Sequence, residues 1–206
     1  MPTIESWQAM WKGLGVDAGD EALYRELIDK YSEAHRKYHT VRHLDECLDG
    51  LNEIRSLAVH AHEIEIALWF HDAIYDVTRH DNEERSAAWI QNAALSRGLP
   101  VEVANRLHAL VMVTKHNAIP TDTDSKLLVD IDLSILGAEP ARFDEYERQI
   151  RAEYAWVEEE LFRTERRRIL EQLIARPRLF NSEHFFLRCE SQARSNLQRS
   201  LDALAH

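Results

Sequence analysis

Apolar residues recur at intervals of three and four along nearly the whole chain, which is the period of an amphipathic helix. Ile64, Ala67, Leu68, His71 and Tyr75 trace one such stripe, and Leu128, Ile131, Ile135 and Leu136 trace another. The pattern predicts helices near 4–13, 20–34, 41–57, 61–76, 82–97, 101–115, 123–136, 141–155, 157–175 and 182–204. Thr40 stands where the N-cap of the third would fall. No run alternates with the period of two that would predict a strand. Glycine and proline punctuate the pattern: Gly13, Gly15 and Gly19 after the first helix, Gly98 with Pro100, then Pro120, then Gly137 with Pro140. There is no internal repeat, low-complexity tract or long linker. The expectation is an all-α fold, a single helical domain over residues 1–206 with peripheral N- and C-terminal helices.

Composition narrows the function classes. The net charge is −11 with histidine neutral, which disfavours a nucleic-acid polymer or an acidic membrane surface as partner. An anionic small molecule in a locally positive cleft remains compatible with it. "RTERRR" (163–168) is flanked by Glu158, Glu159, Glu160 and Glu165, so it reads as a solvated helix face laced with local ion pairs. Cys47 and Cys189 form no CxxC pair, so neither a disulfide framework nor a zinc ribbon is indicated. "MPTIESWQAMWKGLG" lacks the basic start and apolar run of a signal peptide, and no stretch approaches a membrane span. A cytoplasmic protein is expected.

The chemistry gathers where polar residues interrupt apolar stripes. His71 lies within the stripe of its helix and Asp72 borders it. A buried carboxylate needs a partner. Asp132 falls within the second stripe, four residues after Leu128 and four before Leu136, whereas Asp130 projects from nearly the opposite side. His43 sits in the first turn after Thr40, at the edge of a face made by Cys47, Leu51 and Ile54, with His39 just before the helix. Two imidazoles and two carboxylates from three helices make an N2O2 set suited to a divalent metal ion. Adjacent helical residues diverge by about 100°, but His71 and Asp72 can still share one ion near a helix end, where a long imidazole reaches back and a short carboxylate reaches across.

The order H…HD…D on successive helices resembles the HD superfamily of metal-dependent phosphohydrolases. "RKYHTVRH", "WFHDAIYD", "DNEERSA", "VTKH", "DIDLSILG" and "IRAEY" look like the signature stretches of a bacterial group of predicted HD-domain hydrolases, and they span residues 36 to 154. The resemblance implies an HD-domain-like helical fold, a divalent metal ion (Mn, Fe, Co, Ni, Zn or Mg), and His43, His71, Asp72 and Asp132 as its ligands. In "DID" the helical face selects Asp132 over Asp130. No substrate is implied.

The expected activity is hydrolysis of a phosphate ester of a small molecule, a nucleotide among the options, by metal-activated water. Cations to hold the phosphate would be Arg36, Lys115 and Arg151, with His116 as a further contact. Arg151 has Glu147 one turn away as an alternative partner. The water-orienting base would be Asp76, one turn beyond Asp72, or Glu83, although both positions also suit acids at helix ends. Another class of reading is a noncatalytic helical module with a metal- or nucleotide-binding site. A di-iron oxygenase of HD type would recruit His80, His108 or His116. The amphipathic helix 182–204 leaves a homo-oligomer open.

Overall fold

The computed structural model describes residues 2–17 and 20–204; Gly19, expected among the helix breakers, lies outside the described residues. Among the described residues the chain forms ten α-helices and no strand. They are α1 (Ile4–Gly13), α2 (Glu21–Tyr31), α3 (Val41–Ile54), α4 (Ala61–Phe70), α5 (Asn82–Ser96), α6 (Val101–Met112), α7 (Thr123–Asp132), α8 (Pro140–Glu153), α9 (Glu159–Ile174) and α10 (Glu183–Ala203). The fold is all-α. The expected helices 41–57, 101–115 and 123–136 each end in a 3-10 turn, Arg55–Leu57, Val113–Lys115 and Leu133–Gly137, where the backbone tightens as helices close. The expected helix 61–76 stops at Phe70. No helix among the described residues is long and apolar enough to cross a membrane.

Backbone contacts divide the chain into two units, Met1–Ile131 and Asp132–His206. In the first, α4 is central and packs on α1, α3, α5 and α6. Ile64, Ile66, Ala67, Leu68, Trp69 and Phe70 are all buried, so α4 is apolar around its circumference, as a helix enclosed by others must be. Trp7 of α1 meets Trp69 edge-on, with ring centroids 5.0 Å apart. Glu63, also buried, is matched by Arg106, whose Nε and Nη2 donate to its two carboxylate oxygens at 2.8 and 2.6 Å. The Thr40 hydroxyl caps α3 by accepting from the Arg42 N–H at 3.3 Å. That helix turns His43, Leu44, Cys47, Leu51 and Ile54 inward. Near the start of α7, the Asp124 carboxylate accepts from the N–H groups of Val59 and His60, at 2.8 and 3.0 Å.

The second unit has its own core. Asn196 of α10 is fully buried, and its amide donates to the carbonyls of Leu136 and Ala138 at 2.9 and 2.8 Å. The "RTERRR" arginines are not a merely solvated face. Arg166 is buried and paired with Glu147, and its Nη2 also donates to the Tyr146 hydroxyl at 3.1 Å. Arg163 and Arg167 both donate to the Leu204 carbonyl at the end of α10, at 2.9 and 2.7 Å, where cations suit the helix dipole. Only Arg168, bonded to Glu165 at 2.9 Å, forms a local pair of the kind expected.

Gly137 is required by close approach. A Cβ there would stand 2.6 Å from Cys189 Cβ and 3.0 Å from the Cys189 carbonyl oxygen. Gly137→Ala is expected to destabilise the protein by about 1–3 kcal/mol through overpacking, read as a lower denaturant midpoint. An unchanged midpoint would contradict this packing.

Candidate metal centre

The centre begins with the way α4 ends. The carbonyls of Asp72 and Ala73 do not accept from a further helical turn. They accept from Arg36, whose Nη1 donates to Asp72 at 2.6 Å and Nη2 to Ala73 at 3.1 Å. Nη1 also reaches the His39 carbonyl at 3.2 Å, and Nε meets Glu33 at 3.3 Å. The Arg36 side chain has no exposed surface, and its guanidinium lies over the rings of Tyr31 and Tyr75, 5.2 and 5.4 Å from their centroids. Further along, the Ile74 N–H donates to the Ser86 hydroxyl at 3.0 Å. The Asn82 amide bonds both the N–H and the carbonyl of Asp76, at 3.2 and 2.9 Å. Residues 71–76 therefore form a turn tied to neighbouring elements, and the dipeptide His71-Asp72 sits at a helix end.

On that turn His71 is buried and oriented by its own helix. Its Nδ1–H donates to the Leu68 carbonyl at 2.7 Å, so Nε2 is the nitrogen turned toward His43 and Asp72. The Tyr31 hydroxyl donates to the same carbonyl at 3.4 Å. Burial pushes this phenol up to about 12, so it stays protonated. His71 Nε2 faces His43 Nε2 at 3.1 Å. An Asp72 carboxylate oxygen lies 3.0 Å from His71 Nε2 and 3.5 Å from His43 Nε2. Burial would raise the Asp72 carboxyl, but the imidazoles of His71 and His39, with hydrogen bonds from His43 and His71, hold it well below the usual carboxylate range.

Asp132 is the last residue of α7, and every other residue of that helix belongs to the first unit, which fixes where its side chain begins. His43, Cys47, His71 and Asp132 each offer a ligand atom, all within 4.8 Å of one another. Two donors bound to one ion at about 2.1 Å stand roughly 3.0–3.5 Å apart. The separations among His43, His71 and Asp72 fall in that range, but Asp72 is not a member of the four-residue group, in which Cys47 stands instead. No protein-family model, curated protein or solved structure matches the chain significantly.

Cys47 is the member of this group that sequence reasoning left in the core. Its signal was its place four residues after His43 on the same helix, the spacing that puts two side chains on one face. Asp130 projects from another side of α7 than Asp132, but that side is not solvent: Asp130 is fully buried. Among the described residues, His80, His108 and His116 join no group able to hold a second ion.

The other expected site residues have partners of their own or stand at helix ends. Arg36, expected on a phosphate, is buried and spent on backbone carbonyls. Arg151 closes the connection between α8 and α9: it donates to the Tyr154 carbonyl at 2.7 Å, the Val157 carbonyl at 3.3 Å and Glu159 at 2.9 Å. Its expected local partner, Glu147, pairs with Arg166 instead. Lys115 pairs with Glu84 and reaches the His80 carbonyl at 3.4 Å. His116 follows it in the left-handed region, φ 54° and ψ 20°, a conformation in which histidine is enriched. Asp76 is not one helical turn beyond Asp72, because the helix has ended. Its carboxylate folds back on Thr78, accepting from the N–H at 2.9 Å and the hydroxyl at 2.6 Å, and these bonds lower its pKa. Glu83 stands in the first turn of α5, half-buried.

Arg36→Ala would strip donors from three carbonyls at once. The expected loss is about 3 kcal/mol or more of stability, measured by denaturant unfolding. Near-wild-type stability would contradict the clamp.

Proposed function

We propose that the chain is a metal-dependent phosphohydrolase of the HD type, hydrolysing a phosphate ester of a small molecule. The observation that carries this reading is the convergence of His43 Nε2, His71 Nε2 and an Asp72 carboxylate oxygen within 3.0 to 3.5 Å of one another. The ordered motifs of the sequence support it.

In this reading His43 and His71 hold the ion through Nε2, with Asp72 and Asp132 as anionic ligands. A divalent ion supplies a Lewis acid for a phosphoryl oxygen and makes water a better nucleophile near neutral pH. The Leu68 carbonyl keeps the His71 proton on Nδ1. The depressed Asp72 carboxyl stays ionised through the mildly acid range, so His71 and His43 keep an anionic neighbour there. Arg36 holds the turn that aims His71 and Asp72. Glu83 is the better candidate for the base that orients the nucleophile, because the Asp76 carboxylate is committed to Thr78. Lys115 is the remaining candidate cation for the phosphate, since its pair with Glu84 lies near the surface and exchanges readily with solvent.

A noncatalytic metal-binding module is the second reading, and one observation favours it. Arg36 and Arg151 are both engaged by the fold, which leaves few of the expected cations to receive a phosphate.

The first test is elemental analysis of purified protein. Wild type is expected to carry divalent metal, and His71→Ala and Asp132→Asn to lose most of it. Asp130→Asn should keep its metal even if it is less stable. Equal metal in all of these proteins would defeat the ligand assignment. The second test is a screen of metal-loaded protein on nucleotides and phosphorylated metabolites, with chelator as control. Turnover abolished by chelator is expected, and its absence across the panel would favour the noncatalytic module.

On any substrate so found, Lys115→Ala should retain metal and raise KM more than it lowers kcat. Loss of a charge-assisted contact of about 1.5–3 kcal/mol corresponds to a fall in kcat/KM of roughly one to two orders of magnitude. Unchanged kinetics would assign Lys115 to its pair with Glu84 alone.

A further inference from the structure

We propose that Cys47 supplies a sulfur ligand to this centre and thereby selects a thiophilic divalent ion, zinc, cobalt or iron, over magnesium. The inference rests on the metal-centre reading above and deepens it by naming the class of ion. Cys47 is buried on α3, one turn after His43 and on the same inward face. Its Sγ lies 3.8 Å from both Nδ1 and Nε2 of His43. A sulfur at about 2.3 Å and a nitrogen at about 2.1 Å from one ion stand roughly 3.1–3.8 Å apart for bond angles between right and trigonal. The observed separation is at the wide end of that range. The same sulfur falls within 4.8 Å of the ligand atoms offered by His71 and Asp132.

Sulfur changes the chemistry of the set. Imidazoles and carboxylates alone accept magnesium or manganese as well as the later transition ions, whereas a thiolate is soft and discriminates against hard, oxygen-seeking ions. Ligation breaks the S–H bond. The proton passes to solvent, and the sulfur lone pair forms the metal–sulfur bond without any oxidant. Cys189 provides an internal control. It is buried against Gly137 in the second unit and joins no metal-capable group among the described residues.

The test is reconstitution of the full chain with cobalt(II), with bound cobalt counted and thiolate-to-cobalt charge-transfer absorption recorded in the near ultraviolet. The chain has two cysteines, so in Cys189→Ser any such band comes from Cys47. The expected result is bound cobalt with the band in wild type and in Cys189→Ser. In Cys47→Ser, or in Cys47→Ala should serine disturb the core, the band should be lost while cobalt still binds. The accompanying expectation is that magnesium competes better against zinc in the Cys47 variant than in wild type. Cobalt bound without the band in Cys189→Ser would overturn the sulfur ligand and leave the metal centre standing. Failure of wild type to bind cobalt, zinc or manganese would overturn the metal-centre reading and this inference with it.

Discussion

The buried guanidinium of Arg36 is the constraint on which the first unit's chemistry depends. A helix ends where its carbonyls find better partners than the next turn of backbone. Here the carbonyls of Asp72 and Ala73 find Arg36. Without that capture the apolar period would carry α4 on toward Tyr75, and adjacent side chains at 71 and 72 would point about 100° apart. With it, the two side chains come from a turn and share one point in space. An arginine suits this task because its rigid fork serves several carbonyls at once and its flat face tolerates the rings of Tyr31 and Tyr75. Desolvating a guanidinium is costly, and the carbonyls, Glu33 and the two rings offset that cost together.

The polar atoms around the turn are arranged in layers. The Leu68 carbonyl fixes a proton of His71 on Nδ1, so Nε2 is the nitrogen that faces His43. The Asp72 carboxylate reaches both imidazoles from one side, and Cys47 approaches His43 along α3. Much of the surrounding charge is internally matched, as with Glu63 and Arg106 or Lys115 and Glu84. The convergence of donors at His43, His71 and Asp72 therefore stands out as chemistry that helix packing alone does not call for.

The helices were largely legible in the sequence because hydrophobic period, caps and glycine breaks agree along the chain. Their ends were less so. The stripe through Tyr75 hid the stop at Phe70, because the residue that enforces it, Arg36, is remote in sequence and looks like an ordinary surface cation. Periodicity placed Asp132 and Asp130 on different sides of α7. It could not show which side is the more deeply enclosed, which depends on tertiary packing: Asp130 is fully buried and Asp132 only half-buried. His43, His71 and Asp132 were brought into one group with Cys47, and Asp72 lies beside the two imidazoles but outside that group. The site residues chosen for charge alone, Arg36, Arg151 and Lys115, had partners that only the fold supplies. Cys47 was visible at the right spacing from His43, but a cysteine on an apolar face is most simply read as core.

The central claim is that His43, His71, Asp72 and Asp132 bind one divalent ion, with His71 using Nε2. Anomalous diffraction at the metal edge from crystals of the zinc- or cobalt-loaded protein tests it most directly. The account predicts a single peak bonded to Nε2 of both histidines and to the two carboxylates, with Cys47 Sγ beside it and His71 Nδ1 still on the Leu68 carbonyl. A peak elsewhere in the chain, or none in this group at saturating metal, would contradict it.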